Sequence, residues 1–162
     1  MGQSPNKNIK RLRRKDITKI LDTIKERFDV DFPSDYLFYE TAKGKIYIIS
    51  PEFQNFDFEN MRIDKGGFYF CERKGDFLRL SMQAAQKIGQ IAKSAKIEPK
   101  NSLKLTEPDY LTYMKGEEIK TDHPNNSSIL LIFQDEVFCW AQVKDGYIIN
   151  YVPKAYRGTI II

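Results

Sequence analysis

The sequence carries little that is suited to covalent or metal chemistry. It has two cysteines, Cys71 and Cys139, far apart and without CxxC spacing, and one histidine, His123. Two lone cysteines argue against a secreted disulfide framework and fit a reducing, cytoplasmic setting. One histidine without a cysteine cluster argues against a zinc centre. No run of ~18 apolar residues is present, so no segment reads as a membrane span. The polar, basic N-terminus lacks the apolar core of a secretory signal. There is no GxGxxG after a strand, no GxxxxGK[ST], no HExxH and no GxSxG. Glu117 and Glu118 are adjacent, so their carboxylates point apart and make a poor acid/base pair. The expectation is a protein with no catalytic residues, no metal and no cofactor, outside any membrane.

What is present is enough for a folded core. The chain has 162 residues, 41% of them hydrophobic and 13% aromatic, which suits one ordinary domain or two small ones packed together. The net charge of +4 is unevenly spread: residues 1–28 hold nine Lys/Arg against three Asp/Glu, and the remainder is close to balance. "KNIKRLRRK", from Lys7 to Lys15, has six basic residues and no acid. Such a run suits a polyanion, whose counterions it displaces, or else serves as a solvated arm.

Hydrophobic periodicity divides the chain. Ile17, Ile20, Leu21, Ile24 and Phe28 recur at helical spacing, with Asp16 placed to cap the helix. From Tyr36 the pattern shortens to "YLFYE", "KIYIIS", "GFYFCE" and "DFLRLS", separated by turn residues, which predicts a small antiparallel sheet with a tight hairpin at "ERKGD". Ser81 should cap a second helix whose buried stripe is Met82, Ala85, Ile88 and Ile91 or Ala92. "IEPKNS" (97–102) reads as a boundary. After it come a short strand "LKL" and a helix capped by Thr106, with Leu111 and Met114 facing inward and Gly116 as a left-handed stop. A β-meander follows, "ILLIF", "VFCWAQV" and "YIINYV", and then the run "TIII". The fold class is α+β: a small N-terminal α/β sheet subdomain followed by a C-terminal β-rich unit.

Between the last two strand-like segments lies "NYVPKAYRG". Pro153 lacks a backbone donor and fixes its own φ, so a strand must end there. Asn150, Lys154, Tyr156 and Arg157 are then presented from a loop anchored on both sides. Cations separated by aromatic rings suit phosphate contact and base stacking, although many surface turns share this composition.

The stretch "SILLIFQDEVFCWAQVKDGYIINYVPKAYRG" resembles the C-terminal PUA-type module of the Sun-family RNA cytosine-5 methyltransferases, with Asp145-Gly146 and Asn150, Pro153, Lys154 and Arg157 at its turn and closing motif. "ETAKGKIYIIS", "MRIDKGGFYFCERKGDFLRLSMQAAQKIG" and "YLTYMKGEEI" are similar to segments that precede or open this module. At the strand that reads "GxGK" in the family, this chain has Cys139-Trp140-Ala141-Gln142. It also has no SAM-binding loop and no catalytic cysteine motif. The resemblance implies a PUA-like β-barrel over 99–162, a preceding α+β subdomain over 16–98, and a basic flexible arm over 1–15. It further implies a non-catalytic binder of structured RNA, rRNA or tRNA, acting in ribosome biogenesis or RNA modification. The residues expected to carry RNA are Arg11, Arg13, Arg14, Lys43, Lys45, Arg62, Arg79, Lys87, Asn150, Lys154, Tyr156 and Arg157. The alternative is an accessory module that docks onto a separate RNA-modifying enzyme or ribosome assembly factor.

Overall fold

The structure, a computed structural model, describes residues 9–51, 67–75 and 77–157. Arg62, Asp76 at the tip of the expected hairpin, residues 1–8 and the terminal run 159–162 lie outside the described residues.

Strand β1 (Lys10–Arg11) leads directly into helix α1 (Arg14–Phe28). Part of the expected arm is therefore ordered: Lys10 and Arg11 pair with the next strand, and Arg14 and Lys15 open the helix. Asp16 does not cap α1. The cap position is Arg13, extended at ψ 153° and without a side-chain bond, because the chain enters the helix straight from β1. Asp16 lies one turn in, where its carboxylate meets Arg73. Ile20, Ile24 and Phe28 fill the buried face as the spacing predicts.

Strands β2 (Leu37–Glu40), β3 (Lys45–Ile49), β4 (Gly67–Lys74) and β5 (Phe77–Leu80) complete an antiparallel sheet in sequence order. Alternation sends Phe38, Ile46 and Ile48 toward the helices, and Leu37, Tyr39, Tyr47 and Ile49 to the opposite face. A bulge between Ile46 and Tyr47 leaves Phe70 as the extra residue on β4, so Tyr69 faces Tyr47 on the outer side while Phe70 and Cys71 stay in the core.

Helix α2 (Met82–Ser94) starts where expected: the Ser81 hydroxyl accepts from the Ala84 N–H at 3.0 Å. Its buried face is Ala84, Ala85, Ile88 and Ala92, and Met82 is only partly covered. The helix packs on β9 (Glu136–Lys144) so closely that a Cβ at Gly89 would lie 2.5 Å from Val137 Cβ.

The second sheet runs β6 (Ser102–Lys104), β8 (Ser128–Phe133), β9, β10 (Tyr147–Ile148), β7 (Ile119–Lys120). The sequence did not announce β7, nor the parallel pairing of β6 with β8. Among the described residues this sheet is open, with β6 and β7 at its edges, and it curls as a half-barrel. Helix α3 (Glu107–Met114) closes one side, capped by Thr106 and stopped by Gly116 at φ +100°. Tyr110, Tyr113 and Met114 are its buried residues, whereas Leu111 is only partly covered.

The continuous apolar run of β8 reflects burial on both faces. Ile129 and Leu131 join the core under α3, and Leu130 joins the core of the first sheet. Strand β9 does the same: Cys139 and Ala141 face α3, while Trp140, 1% exposed, packs with residues from α1, α2 and the first sheet. The strand pair β8–β9 thus contributes to the cores of both halves.

Candidate nucleic-acid interface

The outer face of the first sheet and the loop after β10 meet at a cleft of about 370 Å³. Its floor is aromatic. Tyr151 lies against Trp140 with ring centroids 5.0 Å apart, and Trp140 packs on Phe77 at 6.0 Å. Tyr69 lies beside Tyr47 at 5.7 Å. Cations sit on these rings: the Arg79 guanidinium is 4.4 Å from the centroid of Tyr151, and the Lys45 ammonium is 5.7 Å from that of Tyr69.

The opposite wall is built by strand termination. After Ile148 the chain leaves the ladder, and Asn150 takes over the hydrogen bonding. Its Nδ2 donates to the carbonyls of Tyr113 at 2.6 Å and Glu117 at 2.8 Å, and its Oδ1 accepts from the Val152 N–H at 3.0 Å. The Tyr113 hydroxyl donates to the Ile149 carbonyl at 2.8 Å. Pro153 then starts the 3-10 turn Lys154–Tyr156. The Arg157 Nε donates back to the Val152 carbonyl at 3.1 Å, and its side chain crosses Gly116, where a Cβ would lie 2.9 Å from Arg157 Cδ. Only glycine gives both the positive φ and the room for that crossing.

Lys45, Arg79, Lys154 and Arg157 all line the cleft, and none has an ion-pair partner among the described residues. Glu72 also lines it, opposite both Lys45 and Arg79 in strand register, but its ion pair is with Lys74 at 3.5 Å. Burial, with the Glu72 charge adding to it, pushes the Tyr69 hydroxyl up to about 12, so it stays a neutral donor at physiological pH. Burial likewise pushes the Cys139 thiol up to about 12, and it raises Cys71 further still. Neither is a thiolate at neutral pH. No group of three His, Cys, Asp or Glu residues gathers to hold a metal among the described residues, and none of their helices is long and apolar enough to cross a membrane.

Of the residues singled out from sequence, the fold brings Lys45, Arg79, Asn150, Lys154 and Arg157 to this cleft. Asn150 lines it, but its amide is committed to holding the loop. Tyr156, 45% exposed, borders an adjoining pocket instead. Lys87 lies over the Tyr36 ring at 5.9 Å, and Lys43 sits in the β2–β3 turn; neither lines the cleft. Arg11 stands opposite Tyr39 in the β1–β2 register, and Arg13 and Arg14 are exposed at the start of α1. Sequence reading missed Tyr69, Trp140 and Tyr151 as the floor. For Tyr69 and Trp140 the signal is alternation: Tyr69 lies between Phe68 and Phe70, which face the first core, and Trp140 lies between Cys139 and Ala141, which face α3.

The molecule is thus a two-part α+β protein with a cationic, aromatic-floored cleft at the junction of its halves. Residues 100–158 match the family model described as "Methyltransferase RsmF PUA domain", so the C-terminal region is PUA-like and related to the Sun-family methyltransferases; the match includes no methyltransferase domain. The fold also resembles the crystal structure of hypothetical protein PH0734.1 from the hyperthermophilic archaeon Pyrococcus horikoshii OT3. The TM-score is 0.59 at 10% identity, over 94% of this chain and 99% of that one. At that identity the likeness is one of fold alone. No curated protein matches the sequence.

Proposed function

We propose that the protein binds structured RNA, of the rRNA or tRNA kind, in the cleft between its halves, and that it acts in ribosome biogenesis or RNA modification without catalysing a reaction itself. One observation carries this reading. Four cations from three separate parts of the chain converge on one cavity floored by aromatic rings, with no carboxylate paired to any of them among the described residues. Cations fixed on ring faces meet phosphates, and exposed ring edges and faces receive bases or riboses. The PUA-like match supports the same class of ligand. The buried, protonated thiols support a binding role over a nucleophilic one.

The test is equilibrium binding of a structured RNA at rising salt. Each neutralised phosphate should contribute roughly 0.7–0.9 to the slope of log affinity against log salt. Arg79→Ala and Lys154→Ala should each weaken binding on any sequence and flatten that slope by about one contact. A wild-type affinity indifferent to salt sinks the reading. The charge balance of the chain beyond residue 28 favours a second reading, a module that docks on another protein. A stoichiometric protein partner that survives nuclease treatment would speak for it.

A further inference from the structure

Beside the cationic cleft lies a second pocket of about 280 Å³ with a different character. Its lining includes the rings of Tyr110, Phe138 and Tyr156, the methionines Met82 and Met114, and Gln86. The rings are held in place. Tyr110 stacks on Phe133 at 3.9 Å, and Phe138 meets Tyr110 edge-on at 5.0 Å. The methionines are soft and adapt to a flat guest. Gln86 donates its Nε2 to the Phe138 carbonyl at 3.2 Å, and its Oε1 has no partner among the described residues. Gln83, exposed, adds a second amide.

Two features decide what such a pocket holds. First, it adjoins the cleft: Met82 and Gln83 line both. Second, the turn Lys154–Tyr156 serves both sites, since Tyr156 borders the pocket while Lys154 and Arg157 line the cleft. A ligand that offers a phosphate to the cations therefore has its neighbouring group placed at the pocket. An aliphatic protein side chain would leave Gln86 Oε1 unmatched, whereas a nucleobase has a flat face for the rings and edge donors for the amides.

We infer that this pocket receives one unstacked nucleobase of the RNA whose backbone occupies the cleft. The protein would thus select RNA with an unpaired nucleotide over a continuous duplex. This inference rests on the reading of the cleft given above, and it can fail independently of it.

The experiment uses the full chain with methyl-labelled methionine, titrated with adenosine or uridine 5′-monophosphate and, separately, with ribose 5-phosphate. Ring currents of a bound base should shift the methyl signals of both Met82 and Met114, and the baseless sugar phosphate should shift neither. In parallel, an RNA hairpin with a single-nucleotide bulge should bind more tightly than the same hairpin fully paired. Tyr156→Ala, at an exposed position, should erase that preference with a loss of roughly fivefold or more, the lower end for one base–aromatic stack. Salt-dependent RNA binding with silent methyls and equal affinity for bulged and paired RNA overturns the base pocket and leaves the cleft intact. Methyl shifts with nucleotides but no salt-dependent RNA binding would overturn the cleft and, with it, the pocket as a site for an RNA base.

Discussion

The basic residues on the helical side of the molecule and those in the cleft are chemically alike and differently used. On the helical side several have carboxylate partners. Lys25 lies 3.0 Å from Asp29 and 3.3 Å from Asp31, Arg73 lies 2.7 Å from Glu40 and 3.5 Å from Asp16, and Lys93 pairs with Glu136. Arg27 is half-hidden over Phe77, donates to the Leu78 carbonyl, and has its pKa lowered by burial. In the cleft, Lys45 and Arg79 rest on rings, Lys154 stands on the 3-10 turn, and Arg157 donates back to the Val152 carbonyl, with no carboxylate paired to any of them among the described residues. A net charge of +4 therefore does not say where cations without ion pairs gather, and four of them gather in the cleft.

The sharpest way to break this contrast is to remove the support under the cleft without touching a cation. Trp140 belongs to β9 yet sits in the core of the first sheet, and it carries Tyr151, which in turn carries Arg79. Trp140→Ala should cost about 3–5 kcal/mol, the usual range for truncating a buried large aromatic. Because β9 contributes to the cores of both halves, chemical denaturation should still show one transition, shifted to lower denaturant. RNA affinity should fall as well, although the charge is unchanged. Two separate transitions would mean that β9 does not couple the two halves.

How much of this could be read from the letters depended on the range of each interaction. Ser81 and Thr106 were legible as helix caps because a cap acts over three residues. Pro153 announced the end of its strand, and the loop cations followed from it. Asp16 misled because its composition suits a cap, while its partner Arg73 lies 57 residues away. The parallel pairing of β6 with β8 is likewise non-local and leaves no local pattern. Lys43 and Lys87 looked equivalent to Lys45 and Arg79 in sequence. Only the strand register and helix phase separate them, and sequence periodicity does not fix how two halves dock. Asn150, a residue that the sequence points to for RNA contact, lines the cleft, and its amide also serves the three backbone groups that shape the loop.

A smaller and more local break is available at Gly116. Its φ of +100° disfavours any residue with a Cβ, and the Cβ would meet the Arg157 side chain at 2.9 Å. Gly116→Ala should lower stability by about 1–2 kcal/mol, the usual penalty for a side chain in left-handed backbone. It should also displace the Arg157 guanidinium from the cleft. The RNA affinity lost should match that of Arg157→Ala, and the double variant should lose no more than either single one, because both act through one side chain. Full additivity would show that Gly116 and Arg157 influence binding separately.

The smallest expected effect is the most informative about the contrast itself. Lys93 pairs with Glu136 on the helical side, and that bond raises its pKa. Both side chains are more than half exposed, and pairs of that kind contribute little to stability because water and salt screen them. Lys93→Ala should leave the denaturation midpoint unchanged within measurement. It should also leave RNA affinity and its salt slope at the wild-type value, even though it removes the same unit charge as Lys154→Ala. If Lys93→Ala weakened RNA binding as much as Lys154→Ala, binding would depend on total charge and not on where the fold places it. The cleft would then lose its standing as a site, because a diffuse positive field needs neither the aromatic floor nor the loop held by Asn150.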